Sequence, residues 1–144
     1  MTPTTVRRLE SLFQSDPQLV AGPVEVSEVE TAEKALAVPF GDEYRSFLVR
    51  YGAAIVGSLP ILGLRRADAM AVDTYSVVDV TVQFRADGWP STDEWAVFSV
   101  DHSGNPIGLS RDGTVWIYDH DAGEVSLVAR SFEQFLIQLL DRLS

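Results

Sequence analysis

The run WAVFSVDHSGNPIGLSRDGTVWIYDHDAGEVSLVA, residues 95–129, alternates short apolar stretches with segments rich in glycine, aspartate and asparagine. The segments DHSGN, RDG and DHDAGE separate four such apolar stretches. Gly, Asn and Asp tolerate the positive φ angles that tight turns between antiparallel strands need. The run therefore predicts a meander of four antiparallel strands.

A helix is predicted directly after this meander. Ser131 and Gln134 have the spacing of a capping box, in which the side chains at the helix start bond to backbone amides. The apolar stripe behind them consists of Phe132, Phe135, Leu136, Leu139, Leu140 and Leu143. Because this stripe is wide and apolar, we expect the C-terminal helix to cover the sheet.

Three amphipathic helices are predicted before residue 53. The first spans residues 5–15, and the second begins at Ser27, which has capping-box spacing to Glu30, and ends near Leu36. The third carries Tyr44, Phe47, Leu48 and Tyr51 on one face and stops at Gly52. The order of helices, sheet and helix predicts one α+β domain over residues 1–144, with helices packed on a mostly antiparallel sheet.

The segments between the third helix and the meander carry mixed signals. The stretch SLPILGL, residues 58–64, contains Pro60 and favours an edge strand or the start of a strand. Residues 74–85 combine a helical apolar face with many β-branched residues, and helix is the preferred interpretation. The stretch GWPSTDE, residues 88–94, has the composition of a loop.

Composition removes several classes of function. The chain has 144 residues and no cysteine, which excludes disulfides, thiolate zinc sites and cysteine nucleophiles. The N-terminus lacks the apolar region of a secretion signal, and no stretch approaches the roughly 20 apolar residues that cross a bilayer. We therefore expect a cytoplasmic location and no membrane partner.

The net charge of −10 also limits the partners. Nucleic acids and anionic lipids attract basic surfaces, so both are disfavoured, and a basic protein partner is favoured. Solubility alone accounts for the acidity equally well.

One group of residues raises the possibility of metal chemistry. Asp101, His102, Asp119 and His120 lie in two turns that could converge and form a small metal-dependent hydrolase. However, Asp side chains in turns usually accept hydrogen bonds from nearby backbone amides. The chain also lacks a G-x-S-x-G elbow and a glycine-rich phosphate loop. We therefore predict no catalytic residue, no metal and no cofactor.

The third predicted strand carries bulky side chains on both faces. Val115 and Ile117 point to one face, and Trp116 and Tyr118 point to the other. Either helices cover both faces, or one face binds a partner. Trp and Tyr are frequent interface hot spots, and Trp89 in the preceding loop is a third candidate. Core packing is the alternative interpretation for each of these aromatic residues.

The segment VETAEKALAVPFGDEYRSFLVRYGA, residues 29–53, resembles the N-terminal signature of the SUKH superfamily, the Smi/Knr-like proteins. The matching positions are Glu33, Leu36, Pro39, Tyr44, Phe47, Leu48 and Gly52. The second half of the chain is also similar to the family. A strand-turn-strand core of the family is matched by Asp101, Gly104, Asn105 and Pro106, and its acidic turn is matched by Asp119 and His120. The start of its last helix is matched by Ser131, Phe132 and Phe135. Two departures are the Tyr51-Gly52-Ala53 turn and the two residues inserted before Pro39.

The resemblance, over about residues 27–141, implies an α+β domain with no known catalytic constellation. Bacteria use such domains as immunity proteins, which bind and block a cognate polymorphic toxin delivered by contact-dependent or type VI systems. The implied partner is a toxin with a basic surface, and a regulatory or scaffold module is the alternative. The candidate partner-binding residues are Trp89, Asp93, Glu94, Asp119, Asp121 and Glu124, and the expected turn residues are Asp101, Gly104, Asn105, Pro106 and His120. The oligomeric state stays open.

Overall fold

Five helices and two antiparallel sheets make up the computed structural model, which describes residues 1–143. In chain order the elements are α1 (Pro3–Ser15), α2 (Val26–Leu36), α3 (Gly41–Tyr51), β1 (Ala54–Val56), β2 (Leu59–Ile61), α4 (Val77–Ala86), β3 (Ala96–Val100), β4 (Pro106–Leu109), β5 (Val115–Asp119), β6 (Glu124–Ala129) and α5 (Phe132–Asp141). Short 3-10 helices occupy Pro17–Leu19 and Thr92–Glu94. The predicted α+β class is confirmed.

The four-strand meander has the strand order β3-β4-β5-β6, as the turn chemistry predicted. Gly108 at its centre lies opposite Val97 on one side and Trp116 on the other. The register shifts once between β3 and β4 and once between β5 and β6. The second sheet is a hairpin of β1 and β2, of which only the β2 region was predicted.

The helix starts follow capping chemistry, with one correction. The predicted start of α2 at Ser27 with Glu30 is wrong, because Glu25 and Glu28 form the capping box two residues earlier. The Glu28 carboxylate accepts the backbone N–H of Glu25 at 3.0 Å. At α5, Ser131 Oγ accepts the Gln134 N–H at 3.1 Å, as predicted.

The inner face of the meander packs against α3 and α5. It contributes Phe98, Ile107, Leu109 and Val115, which are at most 3% exposed. Tyr44 of α3 lies among four aromatic rings, with centroid distances of 5.0 to 6.4 Å to Phe40, Phe47, Phe98 and Phe132. Its hydroxyl donates to the Leu62 carbonyl at 2.6 Å, and burial raises its pKa well above the ordinary value. This aromatic core fixes the sheet to the helices.

Two buried carboxylates connect the helices. Glu33 of α2 accepts the Phe40 N–H at 2.8 Å and a two-pronged contact from Arg45 Nε and Nη2 at 2.9 and 2.8 Å. Glu133 of α5 accepts the hydroxyls of Thr2 and Thr5 at 2.6 and 2.7 Å. Burial alone would raise the pKa of Glu133, but these hydrogen bonds outweigh it and lower the pKa below its ordinary value.

Candidate partner-binding face

The outer face of the meander is the face opposite α3 and α5. Pairing of Trp116 with Leu127 and of Tyr118 with Val125 places all four side chains on it. Trp116 and Tyr118 are half-buried, whereas Val125 and Leu127 are 37% and 48% exposed. These four residues, which we call the β5–β6 strip, form the uncovered part of the outer face.

A loop covers the other half of the outer face. Trp95 at the end of this loop is 4% exposed and lies directly over Gly108. A Cβ atom at position 108 would lie only 2.5 Å from Trp95 Cε3, so this packing requires glycine. Arg85 Nε and Nη2 hold the loop in place by donating to the carbonyls of Thr92 and Trp95 at 2.9 and 3.0 Å. Trp95 therefore packs in the protein interior.

A shallow groove of about 440 Å³ lies beside the strip. Its walls are the loop residues Glu94 and Trp95, the β4–β5 turn with Asp112, and the strip residues Trp116 and Val125. The Trp116 indole N–H donates to Thr114 Oγ1 at 2.7 Å, which fixes the ring. Hydrogen bonds from the Ser110 and Thr114 side chains lower the pKa of Asp112 to about 2, which shows that these hydroxyls stabilise the ionised carboxylate in the groove.

Trp89 sits in an aromatic cluster at the other end of the strip. Its ring makes edge-to-face contacts with Phe84, Tyr118 and His120, at centroid distances of 5.1, 5.9 and 5.9 Å. Phe84 also lines an apolar cleft of about 590 Å³ between α4, β2 and the β3–β4 turn. Trp89, predicted as a partner-binding residue, is thus half-buried and joins α4 to the β5–β6 hairpin.

The turn candidates from the sequence meet at this same end. One Asp101 carboxylate oxygen accepts the N–H groups of Ser103 and Asn105, both at 2.9 Å. Gly104 has a φ of +83°, and Pro106 begins β4 opposite Val100.

The buried Asn105 side chain then links this turn to the next one. Asn105 Oδ1 accepts the backbone N–H of His120 at 3.0 Å and also contacts its Nδ1. The two turns, which could converge according to the sequence, therefore contact each other directly.

The candidate acids fall into two groups. Asp119 Oδ1 accepts the N–H groups of Asp121 and Ala122 at 2.9 and 3.3 Å, so this carboxylate already holds the hairpin turn. Asp121 and Glu124 in the same hairpin are exposed, as are Asp93 and Glu94 in the loop. Because the β4–β5 turn and the β5–β6 hairpin lie at opposite ends of β5, Asp112 and the pair Asp121 and Glu124 place carboxylates at both ends of the strip.

Three residues of this face were missed in the sequence analysis: Asp112, Val125 and Leu127. Alternation in EVSLVA was the available signal for the last two, since a regular hairpin brings them beside Tyr118 and Trp116. Asp112 looked like an ordinary turn residue.

Residues 1–143 contain neither a metal-binding cluster nor a membrane-spanning helix. No three His, Asp or Glu side chains in this part of the chain are arranged to hold a metal ion, and Asp101 and Asp119 instead bond to their own turns. Within the same residues, no helix combines the length and the apolar character needed to span a membrane.

Comparison with known proteins identifies the family. A comparison with curated proteins finds no match. The family model SUKH_5, described as SMI1-KNR4 cell-wall, matches residues 6–141, which is most of the chain. The resemblance carried by the sequence motifs is therefore confirmed, and the chain belongs to the SUKH_5 family of SMI1-KNR4 proteins.

Proposed function

We propose that this protein is an immunity protein that binds a cognate bacterial toxin through the outer face of the meander and blocks the toxin's active site or substrate surface. The observation that carries the proposal is the β5–β6 strip, an uncovered aromatic and aliphatic surface with carboxylates at both ends. Membership of the SUKH_5 family supports a role in protein binding.

The strip has the composition of an interface centre. Trp and Tyr often supply most of the binding energy in interfaces, and an apolar centre with a polar rim is the usual arrangement. Trp116 is already hydrogen-bonded and Tyr118 is already packed against Trp89. Because these rings are ordered before binding, association costs little additional conformational entropy.

The charge of the rim favours a basic partner. Glu94 and Asp112 line the groove beside the strip together with one cation, Arg111, and the exposed Asp93 precedes Glu94 in the same short helix. Asp121 and Glu124 lie in the β5–β6 hairpin, and the whole chain carries −10. Opposite charge on the toxin raises the rate of encounter and discriminates against acidic proteins. A toxin that acts on nucleic acid needs a basic surface, and this rim would cover such a surface.

Affinity purification of the tagged protein from its own cells, at low and then high salt, tests the proposal. We expect one stoichiometric partner that carries a toxin domain. Titrating the purified partner with this protein should then abolish the toxic activity at equimolar amounts. Full toxic activity in the presence of excess protein would refute the proposal, and capture of regulatory proteins without inhibition would favour a scaffold module.

Charge reversal locates the interface. Asp121→Lys and Glu124→Lys change exposed hairpin carboxylates, whereas Asp119 is avoided because it holds the turn. We expect slower association and a weaker salt dependence for both variants. Glu10→Lys on the exposed surface of α1 is the matched control for net charge. Equal association rates for all three variants would place the interface elsewhere.

A further inference from the structure

The two edges of the meander differ in how they are closed. At the β3 edge, Thr81 Oγ1 accepts the Val97 N–H at 2.8 Å, and the Phe98 carbonyl accepts the Leu62 N–H at 2.7 Å. The Ser99 hydroxyl also donates to the Pro60 carbonyl at 2.6 Å. This edge is therefore covered by α4 and the β2 region.

The β6 edge is open over most of its length. In the part of the chain that the structure describes, the single hydrogen bond to its backbone from outside β5 comes from Gln138 Nε2, which donates to the Val128 carbonyl at 3.1 Å. Residues 124–127 have no such contact and are all exposed. Half of the amide and carbonyl groups of an edge strand point away from its neighbour, so these groups are available to another strand.

The central part of the β6 edge, residues 125–127, lacks the features that usually prevent strand pairing, because the charged Glu124 and the register shift beyond Leu127 lie at the two ends of the strand. Natural edge strands are shortened, bulged, or protected by proline and lysine. β6 has six residues, more than any other strand in residues 1–143, and contains no proline, lysine or arginine. The pairing from Glu124 to Leu127 is regular, because the register shift lies beyond Leu127. An exposed, regular edge with Val125 and Leu127 on one face is suited to adding a strand.

We propose that an extended segment of the toxin adds to the β6 edge as a fifth strand of the meander, with basic residues on it facing the hairpin acids. This inference rests on the proposed function for the nature of the partner, and it specifies how the outer face is extended on binding. Main-chain hydrogen bonds give affinity in such strand addition, and side chains on alternate positions give specificity.

Charge decides between the two available occupants of this edge. A second copy of the chain would bring together two molecules that each carry −10, with both hairpins close to the new strand pair. A basic strand instead meets complementary charge. Glu124 and Ser126 lie on the inner side of β6, whereas Val125 and Leu127 lie on the outer face. The added strand should therefore alternate, with apolar side chains beside Val125 and Leu127 and a basic side chain beside Glu124.

A synthetic peptide tests the strand addition without the toxin. The probe is a capped seven-residue peptide of alternating lysine and valine, added to the isotope-labelled full chain and followed by NMR. We expect amide shifts and slower hydrogen exchange at residues 124–127. A control peptide with proline in place of the central valine should bind more weakly, because proline cannot donate to the new strand pair.

Matched variants locate the binding on the protein. Leu127→Lys replaces the apolar neighbour of the peptide's valines with a charged side chain and adds a positive charge to the edge that meets a basic peptide, and should weaken binding by about fivefold or more. Val82→Lys makes the same change at a site of equal exposure on α4, with 50% against 48%, and should bind the peptide normally.

Several results would overturn the proposal. The first is that the lysine-valine peptide does not bind at millimolar concentration, and the second is that the proline peptide binds as tightly as it does. The third is that the Leu127→Lys variant binds the peptide as tightly as the wild type. The fourth is that the protein self-associates through β6 without peptide. Each result concerns the β6 edge alone, whereas failure of the protein to inhibit its captured partner would refute the immunity role. The two proposals can therefore fail separately.

Discussion

Replacing Glu133 with glutamine should destabilise the protein by removing a buried charge that three donors share. The Glu133 carboxylate is 8% exposed and accepts the Thr2 N–H, the Thr2 hydroxyl and the Thr5 hydroxyl. Hydrogen bonds to a charged group contribute about 1.5–3 kcal/mol, roughly twice the neutral value. Because the glutamine oxygen can keep part of this network, we expect the free energy of unfolding to fall by about 2–3 kcal/mol.

The same substitution should remove part of the pH dependence of stability. The pKa of Glu133 is lower in the folded protein than in the unfolded chain, where it is about 4.3. Its contribution is therefore fully present above the unfolded-state pKa and is lost as the pH falls through the folded-state pKa. The difference between wild type and Glu133→Gln should be constant near neutral pH and should shrink below about pH 4.

Urea denaturation followed by tryptophan fluorescence, at neutral and at acidic pH, measures both effects. In thermal denaturation at neutral pH, the melting temperature should fall by about 6–9 °C, at about 3 °C per kcal/mol for a chain of this size. Glu10→Gln removes an exposed carboxylate and should change neither value appreciably. A Glu133→Gln variant as stable as Glu10→Gln, or a difference that is the same at both pH values, would show that this network does not hold α1 to α5.

Three further predictions concern the sheet and the groove. Thr81→Val should lower the free energy of unfolding, measured by urea denaturation, by about 1–3 kcal/mol, because it leaves the buried Val97 N–H without an acceptor. Amide exchange at Val97 should become faster, and unchanged exchange would contradict this prediction. The matched variant Thr81→Ser keeps the hydroxyl and should keep Val97 protected. Gly108→Ala should lower the free energy of unfolding by about 1–3 kcal/mol in the same assay, because the new methyl group displaces Trp95. The tryptophan emission should shift to the red, and wild-type stability would contradict the close packing. Thr114→Val should raise the pKa of Asp112 from about 2 toward its ordinary value in an NMR titration, because it removes one hydroxyl donor, and an unchanged pKa would contradict the assigned cause.

Elements defined by local chemistry could be predicted from the sequence. The four strands of the meander follow from turn residues between short apolar stretches, and α5 follows from Ser131 and a continuous apolar stripe. β1 was missed because three residues carry no readable alternation and the strand depends on pairing with β2. The start of α2 was misplaced because Glu25 is not a usual capping residue, and its role depends on Glu28.

The candidate site could be predicted only in part. The sequence placed Trp116 and Tyr118 on one face and indicated that the two Asp-containing turns could converge at one end of the sheet. It did not indicate that the loop before β3 covers half of that face, because this depends on the contact of Trp95 with Gly108, a residue on another strand. The exposed half was therefore not recognised, although Val125 and Leu127 lie on it.

The exposure of β6 has a consequence for how this protein can change over generations. Substitutions at exposed positions usually alter stability by less than about 0.5 kcal/mol. Residues 124–127 are all exposed, whereas the interior depends on α3, α5 and the inner face of the sheet. Mutations along β6 can therefore accumulate without loss of folding, so that recognition can be redirected to a new partner while the scaffold is inherited unchanged.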